Sequence, residues 1–570
     1  MKVTYSVIAG LLASSSLLMA AGVTPAQSTA GGTAVVAMAP QTEPNWFFPV
    51  VSGAGYSAIN FQVNALMYLP LIAVSKKDTV NYAQSLASAI TVNKTDTQFV
   101  IHLSHRYRWS NGQPVTAQDV VFTWDLIKAA CGPHSPLPYG DAQSGGVPSD
   151  FKSVTATNAD TVVVTLNTSV NPSWFILNGL SQISPVPKAV WDRYPTNMHK
   201  ELQFIVSESN NPTYKGYAVV DGAFKFLSYQ PNGSWTFVPN QTFGGHKASI
   251  SRLILEYETS ETSEFAQLEE GTVNVGYLPL DMIADKGRLK NDQITETYLS
   301  GMNFVNPDFQ AGEPDGAGAF LNQAYIREAM EMGIDQPGII KTLFHGYGIP
   351  TDGPITAQPP TVYYDKALAK MVYPYDPAKG KKLLEAHGWH MKNGVMVKGT
   401  QSLKMSLLYS SGSTLETSLV QLLKADWARE GIDVSLVSQP LGELFTTMGT
   451  DHWDLAYWNS GYTYQLDYYP TAGSFFLPGG GENGGHYANS TMTKLVLAYR
   501  QGGTPAQEQQ RLDAYEVYAA KTVPLLWMPW VPQGYARVPG LNVTAKNIKG
   551  PVSDFNPVTD FLNANYWTIR

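Results

Sequence analysis

Apolar positions along this chain recur with two periods. Short runs rich in β-branched and aromatic residues, at 33–38, 98–103, 161–166, 273–277, 403–409 and 432–437, predict buried strands. Residues 221–226 and 234–238 read as a hairpin pair. Other stretches carry the helical period. Val120, Val121, Trp124 and Ile127 fall on one face of a helix that opens at Thr116, a natural N-cap with Asp119 three residues on. Helices over 261–270 and 416–429 stop at Gly271 and Gly431, because glycine accepts the backbone that ends a helix. Asp376 followed by Pro377 starts another, running to His387. Residues 60–71 and 324–332 are also read as helical. The order strand, helix, strand occurs at 250–277 and again at 403–437. It predicts crossover units of an α/β sheet, one in each half of the chain.

At 570 residues the chain is too long for one hydrophobic core, so several structural units are expected. The 44% hydrophobic share is that of a globular protein. A net charge of -8 gives no sign of a nucleic-acid binder. The 13 Trp and 31 Tyr matter more, because a ring face with a polar edge suits a ligand cleft. Cys131 is the one cysteine, which excludes an intrachain disulfide and a thiolate metal cluster. It follows a helix and reads as an inert, buried thiol.

Residues 1–30 read as an export signal. Lys2 precedes an apolar run broken by Ser14, Ser15 and Ser16, and Ala26, Ser28 and Ala30 offer cleavage points. The run is shorter than the about 20 residues a membrane span needs. No cysteine lies near it, so a cysteine-anchored lipoprotein is not expected. The expected location is periplasmic, cell-surface or extracellular.

Gly479, Gly481 and Gly484 have a G-x-G-x-x-G spacing, but no strand leads in and no helix follows, so a loop is expected. H-E-x-x-H, G-x-S-x-G and P-loop sequences are absent. His387 and His390 straddle Gly388 and read as surface or packing residues. No catalytic residue, metal site or cofactor is predicted.

The segment Trp109–Trp124, W-S-N-G-Q-P-V-T-A-Q-D-V-V-F-T-W, resembles the shared segment of the cluster-5 extracytoplasmic solute-binding proteins of ABC transporters, the dipeptide- and oligopeptide-binding type. Further likenesses follow in order: Leu66 to Leu71, Ser184-Pro185-Val186-Pro187-Lys188, Asp221 to Phe226, Ile326-Arg327-Glu328-Ala329-Met330 with Ile334-Asp335, and Tyr375 to Lys379 with Leu383-Leu384. The resemblance implies a type II periplasmic-binding-protein-like α/β fold with two lobes around a cleft and an extra subdomain on the first lobe. It places lobe I at 31–68, 183–276 and 524–570, the extra subdomain at 69–182, and lobe II at 277–523. It implies a monomer that captures peptides for ABC permease subunits without altering them. An oligosaccharide ligand on the same fold is the alternative, and a secreted hydrolase the reading from another class.

In peptide-binding relatives an aspartate in a segment like G-W-x-x-D-Y-x-x-P pairs with the ligand's α-ammonium. The similar segment here runs from Gly461 to Pro470 and offers Asp467, while a gap-free match puts Gln465 in that place. Trp458, Tyr462 and Tyr464 crowd the same region, with Trp453, Tyr468 and Tyr469. The resemblance adds Tyr56 as a cleft-lining residue and Asn303, with Asn306, on the hinge-side floor.

Overall fold

The computed structural model describes residues 31–550 and 562–569, apart from 76, 78, 311–315, 451–452, 459–460, 464–472 and 536. The expected signal peptide, residues 1–30, lies outside the described residues. Two sheets organise the two lobes. The first has seven strands, in the order Asp292–Thr295, Gly540–Ala545, Val275–Pro279, Thr33–Ala37, Arg252–Glu256, Ser234–Pro239 and Phe224–Gln230. Thr33–Ala37 runs parallel to both Arg252–Glu256 and Val275–Pro279, which are joined by the helix Glu261–Glu270. That is the crossover unit read from the first half of the sequence, and Gly271 ends its helix at φ 76°. The second sheet repeats the unit. Lys404–Ser410 and Asp433–Gln439 pair in parallel, joined by the helix Thr414–Glu430, and Gly301–Pro307, Leu455–Tyr457, Tyr462–Thr463 and Leu526–Met528 complete it.

A separate four-stranded antiparallel sheet, ordered Ala87–Val92, Gln98–Leu103, Thr161–Leu166 and Phe151–Asn158, forms the body of the extra subdomain. The helix Ala117–Ala130 packs on it, with Val120, Trp124 and Ile127 buried. Asp119 explains why its segment is so distinctive. One carboxylate oxygen accepts the Thr116 backbone N–H at 2.8 Å and the Thr116 hydroxyl at 2.9 Å, with the Trp109 indole N–H at 3.4 Å. The other accepts the Lys188 backbone N–H at 2.8 Å. Thr123 bonds the Val186 backbone N–H one turn later. The two family-like segments, 109–124 and 184–188, are therefore two sides of one hydrogen-bonded joint.

Sheet membership departs from the sequence-derived lobe boundaries at two places. Asp292–Thr295, which the expected boundary at 277 puts in lobe II, pairs within the first sheet. Leu526–Met528, which the expected boundary at 523 puts in lobe I, pairs with Gly301–Pro307 of the second sheet. Both strands are short, and neither carries the alternation that would mark its sheet. The predicted helix at 60–71 is Ala58–Met67, since the backbone is already extended at Tyr68, two residues before Pro70.

Candidate functional site: the interlobe cleft

A cavity of about 650 Å³ lies between the lobes. Its first-lobe wall is the segment from Ser52 to Ile59, with Trp46 and Gln62. Trp46 is fixed by its indole N–H on the Val50 carbonyl at 3.1 Å, and its ring lies against Gly55. The second-lobe wall comes from the helix Leu441–Met448, from Trp458, Gly461, Tyr462 and Thr463, and from Gly481, Glu482 and Gly484 of the glycine-rich loop.

Trp458 and Tyr462, two of the sequence candidates, both line the cavity. The Trp458 indole donates to the Gly461 carbonyl at 2.7 Å, and its ring meets Phe304 and Phe445 edge-on at 5.3 and 5.4 Å. Gly461 makes that tight turn possible. Its φ is 59°, and a Cβ there would lie 2.4 Å from the Met302 carbonyl oxygen. Tyr462 and Thr463 form the terminal strand of the second sheet among the described residues, bonded to Gly301 and Met302.

Tyr56 also lines the cavity. Its hydroxyl donates to Asp141 at 2.9 Å, and its ring packs edge-on against Phe61 at 4.8 Å. Glu482 reaches the same corner from the second lobe. Burial pushes the Glu482 carboxyl well above the usual range, reinforced by the charge of Asp141 and partly offset by a hydrogen bond with Tyr56. Burial and the same two carboxylates push the Tyr56 hydroxyl up as well. Asp141 is 1% exposed and lies behind Tyr56, off the cavity wall, so Glu482 is the carboxyl that the described cavity wall itself presents.

Asp141 and Glu482 carry no motif in the sequence, so sequence reasoning missed them. The glycine-rich loop was the available signal. Gly481 donates its backbone N–H to the Ala142 carbonyl at 3.0 Å, and a Cβ there would lie 1.9 Å from the Gly140 carbonyl oxygen. These glycines let the second lobe touch the first, backbone to backbone.

The other sequence candidates fall elsewhere. Asn303 sits behind the cleft wall, 1% exposed, donating to the Pro529 carbonyl at 3.1 Å, and Asn306 is likewise buried off the cavity. Trp453 is buried and donates to Thr450. Asp467, Gln465, Tyr464, Tyr468 and Tyr469 lie outside the described residues. Cys131 is half-buried, and burial pushes its thiol up to about 12. His387 stacks on Tyr325 at 3.8 Å. No described His, Cys, Asp or Glu cluster could hold a metal ion. No described helix is long and apolar enough to cross a membrane.

Residues 81–482 match the bacterial extracellular solute-binding proteins, family 5 (middle region). The chain belongs to this family. Among its relatives, this solute-binding protein is 24% identical to heme-binding protein A of Haemophilus influenzae over 447 residues, 76% of this chain and 75% of that one. It is 22% identical to the dipeptide-binding protein of Escherichia coli over 380 residues, 65% of each. The structure of the oligopeptide-binding protein AppA from Bacillus subtilis, in complex with a nonapeptide, matches at TM-score 0.79 and 17% identity, covering 95% of this chain and 99% of that one. That likeness establishes the two-lobed fold of the solute-binding protein.

Proposed function

We propose that this protein is the extracytoplasmic binding component of an ABC importer, and that it captures short peptides between its lobes. The cavity walled by residues of both lobes carries this reading, because a ligand held there is enclosed from two sides. The cavity volume falls in the range of about 300–1,000 Å³ common for small-ligand sites. Glu482 on the cavity wall, beside Tyr56, suits the peptide's ammonium group. Asp467 is a second candidate for that pairing. The apolar ring wall of Trp458 and Tyr462 also suits sugar stacking, which keeps an oligosaccharide as the other reading.

A melting-temperature screen separates the two, since a ligand that binds only the folded state stabilises it by mass action. Mixed short peptides are expected to raise the melting temperature, and cello-, xylo- and malto-oligosaccharides are not. Acetylating the peptide amine is expected to weaken binding at least tenfold, and Glu482→Gln and Asp467→Ala tested singly identify the carboxylate responsible. Stabilisation by the oligosaccharides alone would overturn the peptide reading.

A further inference from the structure

The second lobe grips the extra subdomain through one buried arginine. Arg500 follows the helix Ser490–Tyr499, which packs on the helix Pro505–Thr522 of the second lobe. Its side chain is 7% exposed, and all of the contacts that follow are with the extra subdomain. The guanidinium pairs with Asp150 at 3.2 and 3.4 Å and donates to the Gln143 carbonyl at 2.7 Å. It lies 5.3 Å over the Trp174 ring. Its own backbone carbonyl accepts the Asn171 N–H at 2.7 Å. The nearby Gly473 lies against the Gln143 carbonyl, and the Gly481 bond to Ala142 belongs to the same seam.

We propose that Arg500 is a clasp that holds the two lobes closed over the cleft. The physics of a moving interface supports it. A charge pair buried inside one rigid body leaves an unpaired charge when it is broken, at high cost. A pair between two bodies that separate is different, because both partners return to water as the cleft opens. Its net contribution is then modest and sensitive to salt, which suits a contact that must form and release in each transport cycle. The fork of the guanidinium fixes the register in which the lobes meet. Closure is a population shift, so a contact present only in the closed state sets how much of the ligand-free protein is already closed.

The clasp rests on the two-lobed binding reading but not on the identity of the ligand, so its test uses ligand-free protein. Arg500→Met keeps most of the packing stem and removes the charge, and Asp150→Asn is a milder partner variant. Cysteines introduced at exposed Lys247 and Lys392 can carry fluorophores for distance measurement, since the high thiol pKa of Cys131 makes it a poor competitor. Both variants are expected to lower interlobe energy transfer and increase the X-ray-scattering radius of gyration, with an unchanged circular-dichroism spectrum. For the wild type, 0.5 M salt is expected to move both readings in the same direction. Variants as compact as the wild type by both measurements would overturn the clasp. A peptide screen that finds no ligand while the variants still open would overturn the peptide reading and leave the clasp standing.

Discussion

Lowering the pH from 8 to 5 is expected to raise the melting temperature of the unliganded protein by about 5 °C or more. Burial is the first cause in each contributing group. It raises Glu258 to about 7 and Glu261 to about 8, the latter helped by the charge of Asp281. It raises Asp352 to about 6, and Glu430 and Glu516 to about 9. Each has a folded-state pKa above its unfolded value. Between those two values the folded chain holds more protons than the unfolded one, so stability falls as pH rises. The loss begins near the ordinary carboxylate range and is complete once the folded pKa values are passed. Each group contributes on the order of 1 kcal/mol per pH unit inside its window, so a few groups together reach several kcal/mol. Glu269 shifts the other way through Arg288, but that pair is exposed and screened. Scanning calorimetry at constant ionic strength reads the effect directly. A melting temperature that is flat or rises from pH 5 to pH 8 would refute it, and Glu261→Gln should flatten part of the slope.

Asp119→Ala is expected to destabilise the protein on the order of 3–5 kcal/mol. The substitution strands the Thr116 and Lys188 backbone N–H groups and the Trp109 indole in a buried joint. Asp119→Asn keeps an acceptor and should cost about half as much. Urea unfolding followed by tryptophan fluorescence measures both, and a loss under about 1 kcal/mol in the alanine variant would show that water replaces these bonds.

The parts of this fold legible in the sequence are those whose cause is local. Gln98–Leu103, Thr161–Leu166 and Glu261–Glu270 coincide with their predicted spans, because period and caps fix them. The long segment at 109–124 was readable for the same reason, since Thr116, Asp119 and the helix face are neighbours in sequence. What was not legible depends on contacts between distant residues. Arg327 lies in a segment that carried the family resemblance, yet its role appears only in three dimensions. Its guanidinium donates to the carbonyls of Leu321, Thr522 and Val523, tying down the end of the helix Pro505–Thr522. The cleft shows the same division. Trp458, Tyr462 and Tyr56 lie on the cavity wall in or beside segments that carry the family resemblance, whereas Glu482 and the Asp141 behind Tyr56 are far apart in sequence and meet at the Tyr56 hydroxyl. Asn303 lies off the cavity, and its sequence carries no sign of this, because an asparagine in a strand looks the same whether it faces a cavity or the packed interior behind it.

The strand Gly540–Ala545 lies between Val275–Pro279 and Asp292–Thr295, not at the edge of its sheet. Asp292–Thr295 therefore joins the first sheet only through a strand that comes far later in the chain. Without Gly540–Ala545, Asp292–Thr295 has no partner strand among the described residues and Val275–Pro279 loses one of its two neighbours. A stop codon just before residue 540 should cost the whole lobe, not merely a tail.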